Sequence, residues 1–192
     1  MGLSIKVHNH LLDFSSPKGM AIVNVTPDSF YTAWGKCSED KLLAHVRSTI
    51  DQGASILDIG ACSTRPESTP VDETTEWQRL QPALQTIRTH FPDITISVDT
   101  FRANIAEKAL DLGADIINDI SGGTDKRIWE VVANHRTPYI LTYAQEIPLA
   151  SSDYDPTISH MIDFFQTKLD HLHRMGVTDV VVDPGFGFGK TV

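Results

Sequence analysis

Short apolar runs, each closed by a polar residue, alternate along the chain with longer stretches whose apolar positions recur every three or four residues. The runs span 20–24, 55–60, 94–99, 115–120, 138–143 and 179–183, and their length and β-branched content predict buried strands. Leu42, Val46 and Ile50 predict one helix face, with Ser38 as its cap, Glu39 and Asp40 in the first turn and Gly53 at the close. Trp77, Leu80, Leu84, Ile87 and Phe91 recur at steps of 3, 4, 3 and 4, and Pro82 among them predicts a kink. Ile105, Ala109 and Leu112 mark a helix ended by Gly113, and Ile128, Val131 and Val132 mark another. Asp155 and Pro156 read as an N-cap and first helical position for Ile158, Ile162, Phe165, Leu169 and Leu172, closed by Gly176. The leading segment, Ser4 to Leu12, fits a short hairpin.

Six strand–helix units in succession imply a parallel sheet covered by helices. An open doubly wound sheet and a (β/α)8 barrel both satisfy that pattern. A barrel takes about 250 residues, so six of its eight units take about 190, and the chain has 192 residues with a sixth strand near its end. The expected fold is therefore a TIM-type (β/α)8 barrel with about six of eight units present, forming a single domain over residues 1–192. Six strands leave two edges unpaired, which predicts self-association and no turnover by this chain alone. Hydrophobic residues at 41% and charged residues at 21% are those of a soluble globular domain. The formal charge of −9, without a Lys/Arg block, argues against nucleic-acid binding. The absence of an apolar run of about 18 residues argues against a membrane span. With no signal-peptide pattern at the N-terminus, and too few cysteines (Cys37 and Cys62) for a disulfide framework, the cytoplasm is the expected compartment.

In parallel α/β folds chemistry gathers at the C-terminal ends of strands, which here read Asn24, Asp58, Asp99, Asn118, Tyr143 and Asp183. Each alone reads equally well as a helix cap or a satisfied polar end. Together, carboxylates and amides match the planar donor–acceptor edge of an amino-pyrimidinone such as a pterin. Ser63-Thr64-Arg65-Pro66 places a hydroxyl beside a guanidinium, a pairing suited to diphosphate, though a plain surface loop looks the same. Asn24 offers an amide oxygen of the kind that ligates Mg²⁺ beside phosphate oxygens. Gly189-Lys190-Thr191 is not a Walker A motif, because that pattern requires glycine where Pro184 stands. His171 and His173 are two apart on a helix and share no face; His8 and His10 lack a third metal ligand. Cys37 and Cys62 read as small or buried residues rather than nucleophiles.

The segments Asn24-Val-Thr-Pro-Asp-Ser-Phe30, Asp58-Ile-Gly60 with Ser63-Thr-Arg-Pro66, Ser97-Val-Asp-Thr100, Asn118-Asp-Ile-Ser-Gly-Gly123 and Asp183-Pro-Gly-Phe-Gly-Phe-Gly-Lys190 occur in the order seen in one family. The chain, from about Met20 onward, resembles dihydropteroate synthase. That resemblance implies a (β/α)8 barrel that joins a pterin-methyl diphosphate to p-aminobenzoate in folate synthesis, releasing pyrophosphate. It implies Asn24 as a Mg²⁺ ligand, Thr64 and Arg65 on substrate and diphosphate, and Asp99, Asn118 and Asp183 around the pterin ring. It places Phe188 at a wall of the p-aminobenzoate pocket, assigns the catalytic roles to Arg65 and Asp99, and suggests a homodimer and sulfonamide binding. The chain departs from the family pattern at Tyr31 to Trp34, at Ala61-Cys62 and at Thr142 to Gln145. It has no counterpart of the Lys and the Arg/His pair that later barrel strands supply. A folate-dependent methyltransferase domain shares the Asp/Asn pterin logic but should lack the Ser-Thr-Arg-Pro loop. A pterin-binding module without activity is the other alternative.

Overall fold

The computed structural model describes residues 3–7, 10–26, 36–62, 71–143 and 154–186, without the side chains of 36–38 and 154–157. The expected hairpin is present: β1 (Ser4–Val7) pairs antiparallel with β2 (His10–Asp13), Val7 opposite His10. Six strands then pair in parallel, each with the next in sequence: β3 (Gly19–Asn24), β4 (Ala54–Gly60), β5 (Thr95–Asp99), β6 (Ile116–Asp119), β7 (Tyr139–Thr142) and β8 (Val180–Asp183). The helices between them are α1 (Lys36–Asp51), α2 (Glu73–His90), α3 (Ala103–Asp111), α4 (Arg127–His135) and α5 (Tyr154–Arg174). A doubly wound sheet reverses its strand order at a switch point. Here the order never reverses, as in the wall of a barrel.

Side chains of a strand point alternately to its two faces, and parallel partners in register share a face. One face carries Val23, Leu57, Ile59, Ile96, Val98, Ile117 and Leu141, all in one buried core with Leu42, Val46, Leu80, Leu84, Ile87, Ile105 and Val132 of the helices. Each such side chain contributes about 1.5–3 kcal/mol on burial, so this seam fixes the register of the whole sheet. The other face forms a smaller core in which Ile116 and Ile140 meet Ile5 and Val7 of the hairpin. Because Ile116 and Ile140 stand near the starts of their strands, the hairpin plugs the inner face at that end. The opposite end, where the strands finish, carries polar residues.

Three local expectations give way. α1 begins at Lys36, so Ser38 lies inside it and is not its cap. α5 begins at Tyr154, which puts Asp155 and Pro156 within its first turn; proline costs nothing there because those N–H groups have no helical partner. Ile158 and Ile162, read as core positions, are exposed, and the part of α5 that packs uses Phe164, Phe165 and Leu172. α2 runs on through Pro82 as one helix.

Candidate active site

Register places the functional side chains in rows across the inner face. Asn24 is level with Gly60, Gly60 with Asp99, and Asp99 with Asn118. One pleat further from the hairpin, Thr142 is level with Asp183, and one pleat nearer to it Asp58 is level with Ser97. The even spacing of Ser97 and Asp99 along β5, and of Asp58 and Gly60 along β4, puts all four on one face.

Gly60 matters here because it has no side chain. A Cβ built on it would lie 3.4 Å from Asp99 Oδ2 and 3.5 Å from Asn24 Oδ1, so both oxygens flank the same open point. Asp58 is buried at 5% exposure beneath them and accepts two bonds, from Ser97 Oγ at 2.6 Å and from Asn118 Nδ2 at 2.9 Å. Asn118 is 7% exposed, and its Oδ1 has no hydrogen-bond partner among the described residues. A buried acceptor left open costs about 1–3 kcal/mol, which a ligand N–H would recover. Asp183 accepts from the Gly185 backbone N–H at 2.8 Å and from Thr142 Oγ1 at 3.4 Å.

Electrostatics single out Asp99. Burial pushes its carboxyl up to about 8, and the negative charges of Asp58, Glu76 and Asp119 add to the rise. The Asp58 carboxyl is also raised by burial, against the opposing pull of Ser97 and Asn118. An acid poised near neutrality in a polar strand-end site is a marker of function rather than of structure alone.

Two strand-end residues do not reach this face. Asp119, adjacent to Asn118, points outward and accepts from Tyr139 Oη at 2.6 Å, Ser121 Oγ at 2.6 Å and the Gly123 N–H at 3.0 Å. It shapes the loop after β6. Tyr143 also faces outward and packs edge-on against Phe164 with ring centroids 5.0 Å apart. Alternation along β7 explains this, since inward Thr142 leaves Tyr143 on the helix side.

Thr64, Arg65 and Phe188 lie outside the described residues, as do Tyr31 to Trp34. Cys62 is buried beside the first of these segments. The segment holding Thr64 and Arg65 rejoins the described chain at Val71, whose carbonyl accepts from Arg102 Nη2 at 2.5 Å. Arg102 also pairs with Glu76, which is 1% exposed and accepts from Thr100 Oγ1 at 2.7 Å. Asp72 caps α2 by accepting from the Thr75 N–H at 2.9 Å. Neither the cap nor the Glu76–Arg102 pair was expected from sequence. The signal was an acid interrupting the apolar stripe at the start of α2 and an Arg two residues after Thr100.

Among the described residues, no three His, Cys, Asp or Glu side chains converge as a metal cluster. A cavity of about 530 Å³ opens at the hairpin end, lined by His10, Arg88, Ile94, Gly113 and Asp115. Arg88 is its cation, and the guanidinium is already bound to the carbonyls of Gly113, Pro92 and Ile94 and to Asp115. That cavity is held together by its own arginine and lies away from the polar rows.

Residues 20–192 match the family model described as pterin binding enzyme. The chain is 39% identical over 178 residues to the dihydropteroate synthase of Synechocystis sp., covering 90% of this chain and 61% of that protein. It is 33% identical over 195 residues to the dihydropteroate synthase of Haemophilus influenzae, covering 99% of this chain and 70% of that one. Its fold superposes with a TM-score of 0.86 on the Xanthomonas albilineans dihydropteroate synthase solved with 4-aminobenzoic acid, at 30% identity, over 100% of this chain and 69% of that structure. The Burkholderia cenocepacia dihydropteroate synthase complexed with 7,8-dihydropteroate matches with a TM-score of 0.83, at 30% identity, over 99% of this chain and 66% of that structure. The six-stranded wall is thus part of a (β/α)8 barrel.

Proposed function

The chain belongs to the pterin-binding enzyme family, and from that premise we propose that it serves dihydropteroate synthesis, the reaction named for its curated relatives. The observation that supports this most is Asn118 Oδ1, a buried acceptor left open in the row that also holds Asp99. With Asp183 one pleat above, these groups offer oxygens to the N–H donors of an amino-pyrimidinone edge.

In the reaction, the bond between the pterin methylene carbon and the diphosphate oxygen breaks, and pyrophosphate leaves with the electron pair. The amine of p-aminobenzoate forms the new carbon–nitrogen bond and loses a proton. Asp99, Asn118 and Asp183 fix the ring so that the methylene faces the incoming amine, which supplies the orientation part of the rate. Thr64 and Arg65 are assigned to the diphosphate, where a bidentate guanidinium counters the charge that develops on the leaving group. Phe188 is assigned to a wall of the p-aminobenzoate pocket.

Mg²⁺ fits the residues present. Asn24 supplies an amide oxygen in the same row as Asp99, and Mg²⁺ takes one or two protein oxygens with the rest from phosphate and water. Asn24 would hold it, and the ion would neutralise part of the diphosphate charge. Sulfonamides, as mimics of p-aminobenzoate, should compete at that pocket. No helix among the described residues is long and apolar enough to cross a membrane; we assign the activity to the cytoplasm and the working assembly to a homodimer.

The chain spans 61% of the Synechocystis relative, so the assay of choice uses the whole reading frame that carries it. Pyrophosphate release should require the pterin diphosphate, p-aminobenzoate and Mg²⁺ together. Arg65→Lys should weaken the diphosphate ligand about tenfold or more while leaving the diphosphate-free pterin unaffected. Release independent of p-aminobenzoate, or methyl transfer from a methylated folate, would overturn the assignment.

A further inference from the structure

Asp58 makes no use of its carboxylate except to accept. One oxygen takes the Ser97 hydroxyl at 2.6 Å and the other takes the Asn118 amide at 2.9 Å. Both Asp58 oxygens act as acceptors in this arrangement, so the Asn118 amide turns its NH₂ toward Asp58. The opposite orientation would set Asn118 Oδ1 against an accepting oxygen in a buried site. The carbonyl oxygen is therefore driven to the other side of the amide plane. There it is buried, and no described residue pairs with it. The Asn118 backbone is fixed as well, because its carbonyl accepts from the Thr100 N–H at 3.1 Å.

We propose that Asp58 is a positioning residue: held by Ser97, it locks the Asn118 amide so that Oδ1 faces the mouth as an acceptor for a ring N–H of the pterin. This rests on the pterin-binding reading above. It makes the relay Ser97 to Asp58 to Asn118 a determinant of specificity, since it decides that this point of the site reads a donor and rejects an acceptor. Asp58 itself lies one pleat below the row and touches no ligand.

The test is a double-mutant cycle on this chain, read by calorimetric binding of 6-hydroxymethylpterin, with thermal melting recorded for every variant. Asp58→Asn keeps the shape but permits the Asn118 amide to turn over, and should weaken binding about tenfold to a hundredfold. Asn118→Ala should weaken it by a similar factor. The double variant should bind no more than about twofold worse than Asn118→Ala alone, because the relay has nothing left to orient. A general disturbance of the pocket would also impair the contacts of Asp99 and Asp183, so its losses would multiply in the double variant. Ser97→Ala removes one hydroxyl and should cost a few-fold in the parent and nothing in the Asn118→Ala background. This milder change keeps the test decisive if Asp58→Asn does not fold. Parent-like affinity in Asp58→Asn, or multiplied losses in either pair, would overturn the relay. Failure of the unmodified chain to bind any pterin would instead overturn the pterin-binding reading, so the two failures are distinguishable.

Discussion

Replacing Asp99 by Asn should remove a dependence on pH that the parent carries. In the folded chain the Asp99 carboxyl is pushed up to about 8, by burial first and then by the charges of Asp58, Glu76 and Asp119. Unfolded, it titrates near its ordinary value of about 3.9. Between about pH 4 and pH 8 the folded chain thus holds a proton that the unfolded chain has released. Stability must fall as pH rises through that window, by at most about 1.4 kcal/mol per pH unit for one proton. The raised carboxyl of Asp58 acts in the same direction. Asp13, Asp72 and Asp125 are held low by hydrogen bonds, and their opposite effect is confined to pH below about 4. An Asn at position 99 cannot titrate and costs little near neutrality, where the parent side chain is largely uncharged. Denaturant unfolding of both proteins at about pH 5.5, 6.5 and 7.5 should show the parent losing stability relative to the variant as pH rises. All other titrating groups are common to both proteins and cancel in the difference. Pterin binding should tighten with pH in the parent alone, up to about tenfold per unit, because a ring N–H requires the ionised carboxylate. A stability difference that is flat, or that favours the parent increasingly as pH rises, would refute the reasoning.

Three further outcomes follow from the packing. Arg102→Met should cost about 3–5 kcal/mol in unfolding free energy by stranding the buried Glu76 carboxylate, whereas Glu76→Gln should cost less and lower the pH at which Asp99 titrates. Gly60→Val should leave the melting temperature within a few degrees but reduce pterin affinity at least about tenfold, because its side chain fills the point flanked by Asp99 and Asn24. Gly123→Ala should destabilise by about 2 kcal/mol or more in thermal melts, since its φ is +78° and its Cβ would press on the Trp129 ring.

Much of this was legible from residue spacing. The six apolar runs became the six parallel strands with no end shifted by more than one residue, because a buried strand needs both faces apolar and few other patterns supply that. The polar strand ends pointed to the site, but reading each end by itself obscured which side it faces. Counting in twos separates Asn118 from Asp119 and Thr142 from Tyr143, but it gives no register between strands, so the meeting of Ser97 with Asp58 was not legible. The Glu76–Arg102 pair left only separate traces, an acid at the start of α2 and an Arg after Thr100, since its partners come from α2 and the turn after β5 and no local pattern encodes their meeting. Ile158 and Ile162 misled for the converse reason: a helical stripe reveals period, not how far along the helix its cover extends.

The central claim is that the row of Asp99 and Asn118, with Asp183 above it, holds a pterin ring. A crystal structure of the chain soaked with pteroic acid tests it most directly. The account predicts the ring at the strand ends of the inner face, with its N–H groups at about 2.7–3.2 Å from Asn118 Oδ1 and from the Asp99 and Asp183 carboxylates. A ring bound at the hairpin end beside Arg88, or one at the mouth that leaves Asn118 Oδ1 without a donor, would contradict it.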